Sequence, residues 1–451
     1  GELHGIPPLP PSYIPRAEFF EALTSTVMAD LETATIIEPK RQITFLRGMP
    51  GTGKSVLAVA FARARATRMA FASGVVFVAA GKSSGVDAVL RSALAALGVA
   101  AQPADDETRL TALLQQQLSR DRVLLILDDV WHMNRIEPFR RALGLRTRIL
   151  VTTRDSALAA GLQAAEIEVD VLDPAKSIEL LAQASGVTES QLPAEATEIV
   201  TESGRLPLSL AIVGAMLRQF PDRWSSYRDR LRHARVDRIE ASIPGYPDAN
   251  LARVIAVSLE DLPSETQNRF VDLAVLRDPP RIPRAVLEAW WASEGMDPID
   301  AEVIVDALAG RSLIRRDTAG IVSLHDLCID YARHFHPSLQ QAHARVIAYY
   351  DRMAPTGWAA HADDGYLFEN LGHHLEGAGR AGDLLHLVLV SPEWLLAKSR
   401  ALRPQSDGLD DIDRALRIDA PLETKAALHM AAQVWRTGAA LWAPGDLETL
   451  V

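Results

Sequence analysis

Gly48-Met49-Pro50-Gly51-Thr52-Gly53-Lys54-Ser55 is a full match to GxxxxGK[ST], a spacing suited to holding phosphate. The glycines let backbone N–H groups wrap phosphate oxygens, and a helix opening at Lys54-Ser55-Val56 turns its positive end toward them. Lys54 can reach β- and γ-phosphates, while Ser55 can ligate Mg²⁺. The same residues could form a glycine-rich turn that binds nothing. A strand before them and a helix after them favour the phosphate reading.

A second group follows the apolar run Leu124-Leu125-Ile126-Leu127, which ends in Asp128-Asp129. A carboxylate at the end of a buried strand can hold the Mg²⁺ shell, the role open to Asp128. Asp129 can orient an attacking water, although an aspartate reaches less far than the glutamate of many P-loop ATPases, which favours slow hydrolysis. At the next strand end, Thr152-Thr153-Arg154 sets a cation beside the same crevice, where Arg154 can sense a γ-phosphate. The catalytic candidates are therefore Lys54, Asp128 and Asp129, and the metal candidates Ser55 and Asp128.

Positioning these residues takes strand and helix in turn. Apolar strands at 43–46, 75–79, 123–127, 149–151 and 165–169 alternate with helices at 56–69, 86–97 and 106–119, which predicts a parallel sheet covered by helices. Upstream, the prolines of residues 1–15 make an extended lead-in, and 16–37 is amphipathic at helical spacing. From Pro174 the β signal nearly vanishes. Helices are expected at 175–185, 193–203, 207–219 and 222–233, before a break at Pro244-Gly245-Tyr246-Pro247. Further helices at 249–259, 263–275, 283–292 and 300–310, closed by a hairpin over 313–324, describe a winged helix. The boundaries so drawn are a linker over 1–15, a P-loop domain over 16–170, a small helical domain over 171–245, a winged-helix domain over 246–330 and a helical arm over 331–451.

Composition narrows the class. The chain has 451 residues, 48% hydrophobic and 23% charged, so it can bury several cores and is not disordered throughout. Its net charge of -11 argues against generic adhesion to nucleic acid or anionic membrane. One cysteine, Cys328, excludes an internal disulfide and a Cys-rich zinc site. No 18-residue apolar run and no signal peptide are visible, so a cytoplasmic location is expected. The chain starts at Gly1 and its last residues still read as helix, so a longer polypeptide with a truncated arm is expected.

Taken in order, these motifs resemble the NB-ARC family of STAND ATPases, the core of apoptotic-protease-activating factors, plant resistance proteins and bacterial relatives, with a bacterial relative the expectation here. Leu127-Asp128-Asp129-Val130-Trp131 is similar to the "LDDVW" segment and Ile149 to Arg154 to "ILVTTR". Gly204-Arg205-Leu206-Pro207-Leu208-Ser209-Leu210 resembles "GGLPLAL", with Arg205 replacing the second glycine, which predicts a local change of backbone. Leu324-His325-Asp326 is similar to the "MHD" motif that ends the winged helix. Residues 363–385 resemble the helical arm of the apoptotic-factor branch. The adjacent His373 and His374 invite a metal reading, but neighbouring helical side chains diverge, and packing is expected.

The resemblance implies a role for each matched residue. Pro207 would contact the base, His325 the β-phosphate of ADP, and the lead-in around Ile14 would pack near the adenine. ADP would hold a closed, autoinhibited monomer. ATP with Mg²⁺ would favour an open form that self-associates and clusters an N-terminal effector, under control of a C-terminal WD40-type sensor. Hydrolysis would be weak. Two alternatives stand beside this switch: a DNA-binding transcriptional regulator reading through residues 283–291, and an ordinary P-loop ATPase with rapid turnover. The recognition segment has one arginine and several large apolar groups, which suits packing better than DNA.

Overall fold

The run Val123–Asp128 forms the middle of a six-stranded sheet in a computed structural model of the chain, with every residue of it buried except Asp128. The structure describes residues 1–29, 31, 42–81, 85–102, 105–119, 122–162, 164–233, 249–401 and 409–438. The strands are β1 (Leu3–His4), β2 (Ile43–Arg47), β3 (Gly74–Ala79), β4 (Val123–Asp128), β5 (Arg148–Thr153) and β6 (Ala165–Glu168), in spatial order β1-β3-β4-β5-β2-β6. All five pairings are parallel. Alternation along β4 explains why it is apolar throughout: Leu125 and Leu127 face a cluster with Leu90 and Leu114, whereas Leu124 and Ile126 face one with Leu57 and Phe61. Both faces are covered by helix.

Register then aligns the chemistry. Leu127 lies opposite Val151, and Arg47 opposite Thr153, so β2, β4 and β5 end at the same edge. Gly48, Asp128 and Arg154 therefore leave the sheet side by side. Crevices at the carboxyl ends of parallel strands are the usual ligand sites of such sheets. The lead-in differs from expectation: Leu3 and His4 pair with Val75 and Val76, so part of it is an edge strand. The helix expected over 56–69 is two, Lys54–Arg63 and Arg65–Ala70, broken at Ala64, whose ψ of 138° is extended. The amphipathic segment forms a helix over Ala17–Val27; its continuation through Thr35 lies outside the described residues.

After Val169 the described chain is almost wholly helical. Pro174–Ser185, Glu195–Glu202, Pro207–Gln219 and Trp224–His233 come first; the Pro244–Pro247 break lies outside the described residues. Pro174 and Pro207 each sit in a first helical turn, where a missing N–H costs nothing. Ala249–Glu260, Ser264–Asp272, Arg284–Ser293 and Pro298–Gly310 follow. They accompany a three-stranded antiparallel sheet in the order β7 (Arg281–Pro283), β9 (Ile321–Ser323), β8 (Arg315–Arg316). β7 was not expected: three residues with a proline carry too little pattern to be read as a strand. One apolar cluster runs from Ile14 and these helices to Ala432 in Leu422–Gly438.

The segment expected to read DNA is not the helix next to the hairpin. Residues 284–293 bury Trp290 and Trp291 in the core, and Pro298–Gly310 precedes the hairpin instead. That helix carries Asp300, Glu302 and Asp306, no lysine or arginine, and exposed Ile299 and Val303. Such a face repels phosphate.

Candidate nucleotide site

The turn after β2 follows from its glycines. Gly48 has φ 153°, and a Cβ there would meet the carbonyl oxygen of Val169 at 2.2 Å, so no other residue fits. Gly53, at φ 90°, caps the Lys54–Arg63 helix in the left-handed region. Met49 and Pro50 span the outside of the turn, and Thr52 Oγ1 donates to the Met49 carbonyl at 2.9 Å. Val56 lies in the first turn of the helix. Lys54 is buried and donates to the carbonyls of Gly48 and Met49, each at 2.9 Å. Burial, reinforced by the nearby charge of Arg154, pulls its ammonium down to about 8.

The two aspartates have different partners. Asp128 Oδ1 accepts from Thr152 Oγ1 at 2.6 Å, and the Ser55 hydroxyl lies beside this carboxylate. Burial raises its pKa, opposed by those two hydroxyls. Asp129 turns away because its backbone is left-handed, φ 57°. Its N–H donates to the same Thr152 oxygen at 2.8 Å, and its Oδ2 accepts from Trp131 Nε1 at 2.9 Å. Arg154 Nε lies 3.5 Å from Asp129 Oδ1, and the guanidinium stacks 5.0 Å from the Trp131 ring centroid.

Residues from late in the chain close over this edge. A Cβ on Gly53 would meet Pro207 Cγ at 3.8 Å, and one on Gly51 would meet Leu327 Cδ1 at 3.6 Å. Arg154 is ion-paired with Asp326 in the Asp326–Phe335 helix. His325 caps that helix: its Nδ1 accepts from the Leu327 N–H at 3.2 Å and lies against the Asp326 carboxylate, leaving Nε2 for a ligand. Burial first, then the cations of Arg315, Arg154 and Lys54, hold the His325 imidazole well below its usual range, and so neutral. Ile14 is buried in one apolar cluster with Leu206 and Leu208, beside an open cleft of about 680 Å³ that Tyr13 and Pro15 also line.

Although Arg205 is not glycine, it keeps a left-handed backbone at φ 53°, next to Gly204 at 64°, and its carbonyl accepts from Leu172 N–H at 3.1 Å. A left-handed backbone of this kind carries strain for a residue other than glycine. Sequence reasoning passed over Arg16, which ties three segments together by donating to Thr52 O at 3.2 Å and Asp170 O at 2.9 Å. It also passed over Thr152, Trp131 and Asp326 as separate actors. Their signal was position alone, each within two residues of a named candidate. His373 and His374 make hydrogen bonds, to the Val275 carbonyl and to Tyr366 and His343, and no cluster of three or more His, Cys, Asp or Glu that could hold a metal occurs among the described residues.

Comparison with known proteins places this arrangement. Residues 25–191 match the model of the NB-ARC domain. Residues 25–191 are an NB-ARC domain. It is 30% identical over 376 residues to apoptotic protease-activating factor 1 of Danio rerio, a match covering 79% of this chain and 29% of that one. Disease resistance RPP8-like protein 3 of Arabidopsis thaliana is 28% identical over 214 residues, 45% of this chain and 23% of that one. The chain thus spans under a third of the length of the curated relatives it matches. A solved STAND protein with a tetratricopeptide repeat sensor from Pyrococcus horikoshii shares the fold, at TM-score 0.52 and 13% identity, covering 99% of this chain and 63% of that one. These NB-ARC and STAND proteins come from a vertebrate, a plant and an archaeon, so the expected bacterial kinship finds no support among them. The sensor of the archaeal protein is not of the expected WD40 type. No described helix is long and apolar enough to cross a membrane.

Proposed function

We propose that the chain is a nucleotide-operated signalling switch that the structure describes in its closed form. The single observation that carries this reading is the approach of Pro207 and Leu327, from two separate helices, to the glycines of one phosphate loop. A ligand in that loop would touch three parts of the chain at once. The donor set fits a nucleotide: Lys54, Arg154 and the His325 ring gather around a glycine turn, and Ser55 lies beside Asp128 as the two ligands of a Mg²⁺ would. In this reading the sheet is the nucleotide-binding domain, residues 171–245 the small helical domain, 246–330 a winged helix and 331–451 a helical arm.

Lys54 would neutralise phosphate charge, the glycine-loop N–H groups would hold phosphate oxygens, and Pro207 with Ile14 would flank the base. His325 would offer Nε2 to a β-phosphate. Mg²⁺, when bound, supplies charge that stabilises the transferring phosphoryl group. Arg154 is held in this form by Asp326, so its move to a γ-phosphate would cost that ion pair and release the Asp326–Phe335 helix. ATP would therefore favour the open form by the difference in its affinities for the two. Open protomers would self-associate; Asp129 would orient water for slow hydrolysis. DNA recognition is disfavoured by the acidic helix before the hairpin.

The test is to release and identify the nucleotide that co-purifies, and to measure particle mass with ADP and with a non-hydrolysable ATP analogue. Retained ADP and a mass increase only with the analogue are expected. Turnover on the scale of seconds with no retained nucleotide would overturn the switch.

A further inference from the structure

We propose that Trp131 is a positioning residue for ATP hydrolysis: its indole N–H fixes the Asp129 carboxylate and so keeps it from closing a bidentate pair on Arg154. This rests on the reading of the site as a slow ATPase. Trp131 makes two contacts of different kinds. Its Nε1 donates to Asp129 Oδ2 at 2.9 Å, and its ring supports the Arg154 guanidinium at 5.0 Å. Asp129 Oδ1 stays 3.5 Å from Arg154 Nε, within ion-pair range but short of a close hydrogen bond.

The backbone of Asp129 is already fixed by its left-handed φ and its bond to Thr152. Rotation of the carboxylate is the freedom that remains. Without a partner on Oδ2, both oxygens could turn onto Arg154 and form a bidentate pair, the strongest arrangement these two groups have. That pair would occupy the acid that must orient water and the cation that must meet phosphate. An indole suits the task of preventing it: it donates and cannot accept, and its face attracts the cation it carries. In the step served, the water oxygen bonds to the γ-phosphorus, the bond to the β–γ bridging oxygen breaks with its electron pair, and the water proton passes by way of Asp129 to solvent.

Trp131→Phe keeps the ring and removes the donor. We expect ATP turnover to fall about tenfold, a fraction of the usual worth of a positioned acid or base, with ADP affinity within about twofold of wild type. Added to Asp129→Asn, it should cost nothing further, because its effect runs through that carboxylate. Unchanged turnover in Trp131→Phe with slow turnover in Trp131→Ala would reduce the residue to a shelf for Arg154 and overturn the proposal. So would full losses that multiply in the double variant. An absence of phosphate release by wild type would sink the slow-ATPase reading instead. The bond itself has an independent readout: in ¹⁵N-tryptophan-labelled protein, Asp129→Ala should move the Trp131 indole resonance, assigned by its loss in Trp131→Phe, and speed its proton exchange. An indole signal indifferent to Asp129→Ala overturns the proposal whatever the turnover.

Discussion

The guanidinium of Arg154, at the end of a central strand, is ion-paired with the carboxylate of Asp326, in the first turn of a helix that follows the second sheet. The cation best placed to detect a third phosphate is thus already occupied by an anion of another part of the chain. If Arg154 is the γ-phosphate sensor proposed above, detection and release would become one event, since it would have to give up Asp326 to serve a phosphate fully. The neighbouring His325 shares that helix end, so in the proposed switch a movement of the helix would take both groups from the site together.

Lys54→Ala should weaken ADP binding about a hundredfold, the worth of one strong charged contact. The fold should survive, because the replaced ammonium is buried against its own loop and already depressed to about 8. Calorimetric titration of nucleotide-free protein reads the affinity and circular dichroism the fold. Unchanged affinity would remove Lys54 from the site.

Asp128→Ala and Asp129→Ala should fail differently. Asp128 bonds Thr152 and lies beside Ser55, so its loss should weaken Mg²⁺-dependent ATP binding; Asp129 faces Trp131 and Arg154, so its loss should slow hydrolysis with Mg²⁺ binding retained. Titrating Mg²⁺ in a phosphate-release assay separates the two effects. Equal defects of both kinds in both variants would end the division of labour.

His325→Ala removes a phosphate contact and a helix cap together. Losing the contact should speed ADP release about three- to tenfold, and losing the cap should cost about 1 kcal/mol of helix stability. His325→Asn retains a cap acceptor, so it should release ADP fast without the stability loss. Stopped-flow release of a fluorescent ADP analogue, with small-angle scattering for compactness, compares them. Wild-type release in both variants would leave His325 a capping residue only.

Arg205→Gly should stabilise the protein by about 1 kcal/mol, since a left-handed non-glycine residue carries strain of that order. The side chain is exposed, so little is lost with it. Thermal unfolding followed by scanning fluorimetry reads the change; a lower midpoint would show that the arginine makes a contact worth more than the strain.

Acid should loosen the helical region before it affects the sheet. Burial pulls His343 down to about 4 and His373 to about 3, and holds His374 well below its usual range, with His343, His373 and nearby arginines adding to the effect. An unfolded or opened chain binds these protons near pH 6.5, so it takes up more than the folded form does at any pH between the two values. Stability is therefore full above about pH 6.5 and falls as pH drops toward about 4, by roughly 1.4 kcal/mol per histidine at pH 5.5. Urea denaturation from pH 7.5 to 5 should show the decline, and His343→Gln should flatten it. A pH-independent midpoint over that range would place these imidazoles in water.

The sheet and its phosphate loop were legible because their signals are local: apolar runs of strand length, a glycine pattern, and acids at a strand end. Leu124 to Leu127 could hardly be anything but a buried strand. What was not legible depends on distant geometry. Nothing beside Arg154 in the chain announces Asp326, and nothing at Asp129 announces a left-handed backbone. β1 and β7 escaped because two or three residues carry no period, and their pairing partners alone make them strands. Nothing around Arg205 announces that the fold holds it in the left-handed region that glycine favours.

The contact between Gly51 and Leu327 also has a consequence in time. Chains are made from the amino terminus at about 5–20 residues per second, and roughly 270 residues separate the loop from His325 and Leu327. All six strands of the main sheet lie before Val169, so that sheet can form while the ribosome is still working. For about 15–55 s the newborn loop would stand without His325 or Leu327 above it, and for the first part of that interval without Pro207 as well. A nucleotide bound in that interval would be met by half a site, and the cover would then arrive over whatever the loop already held.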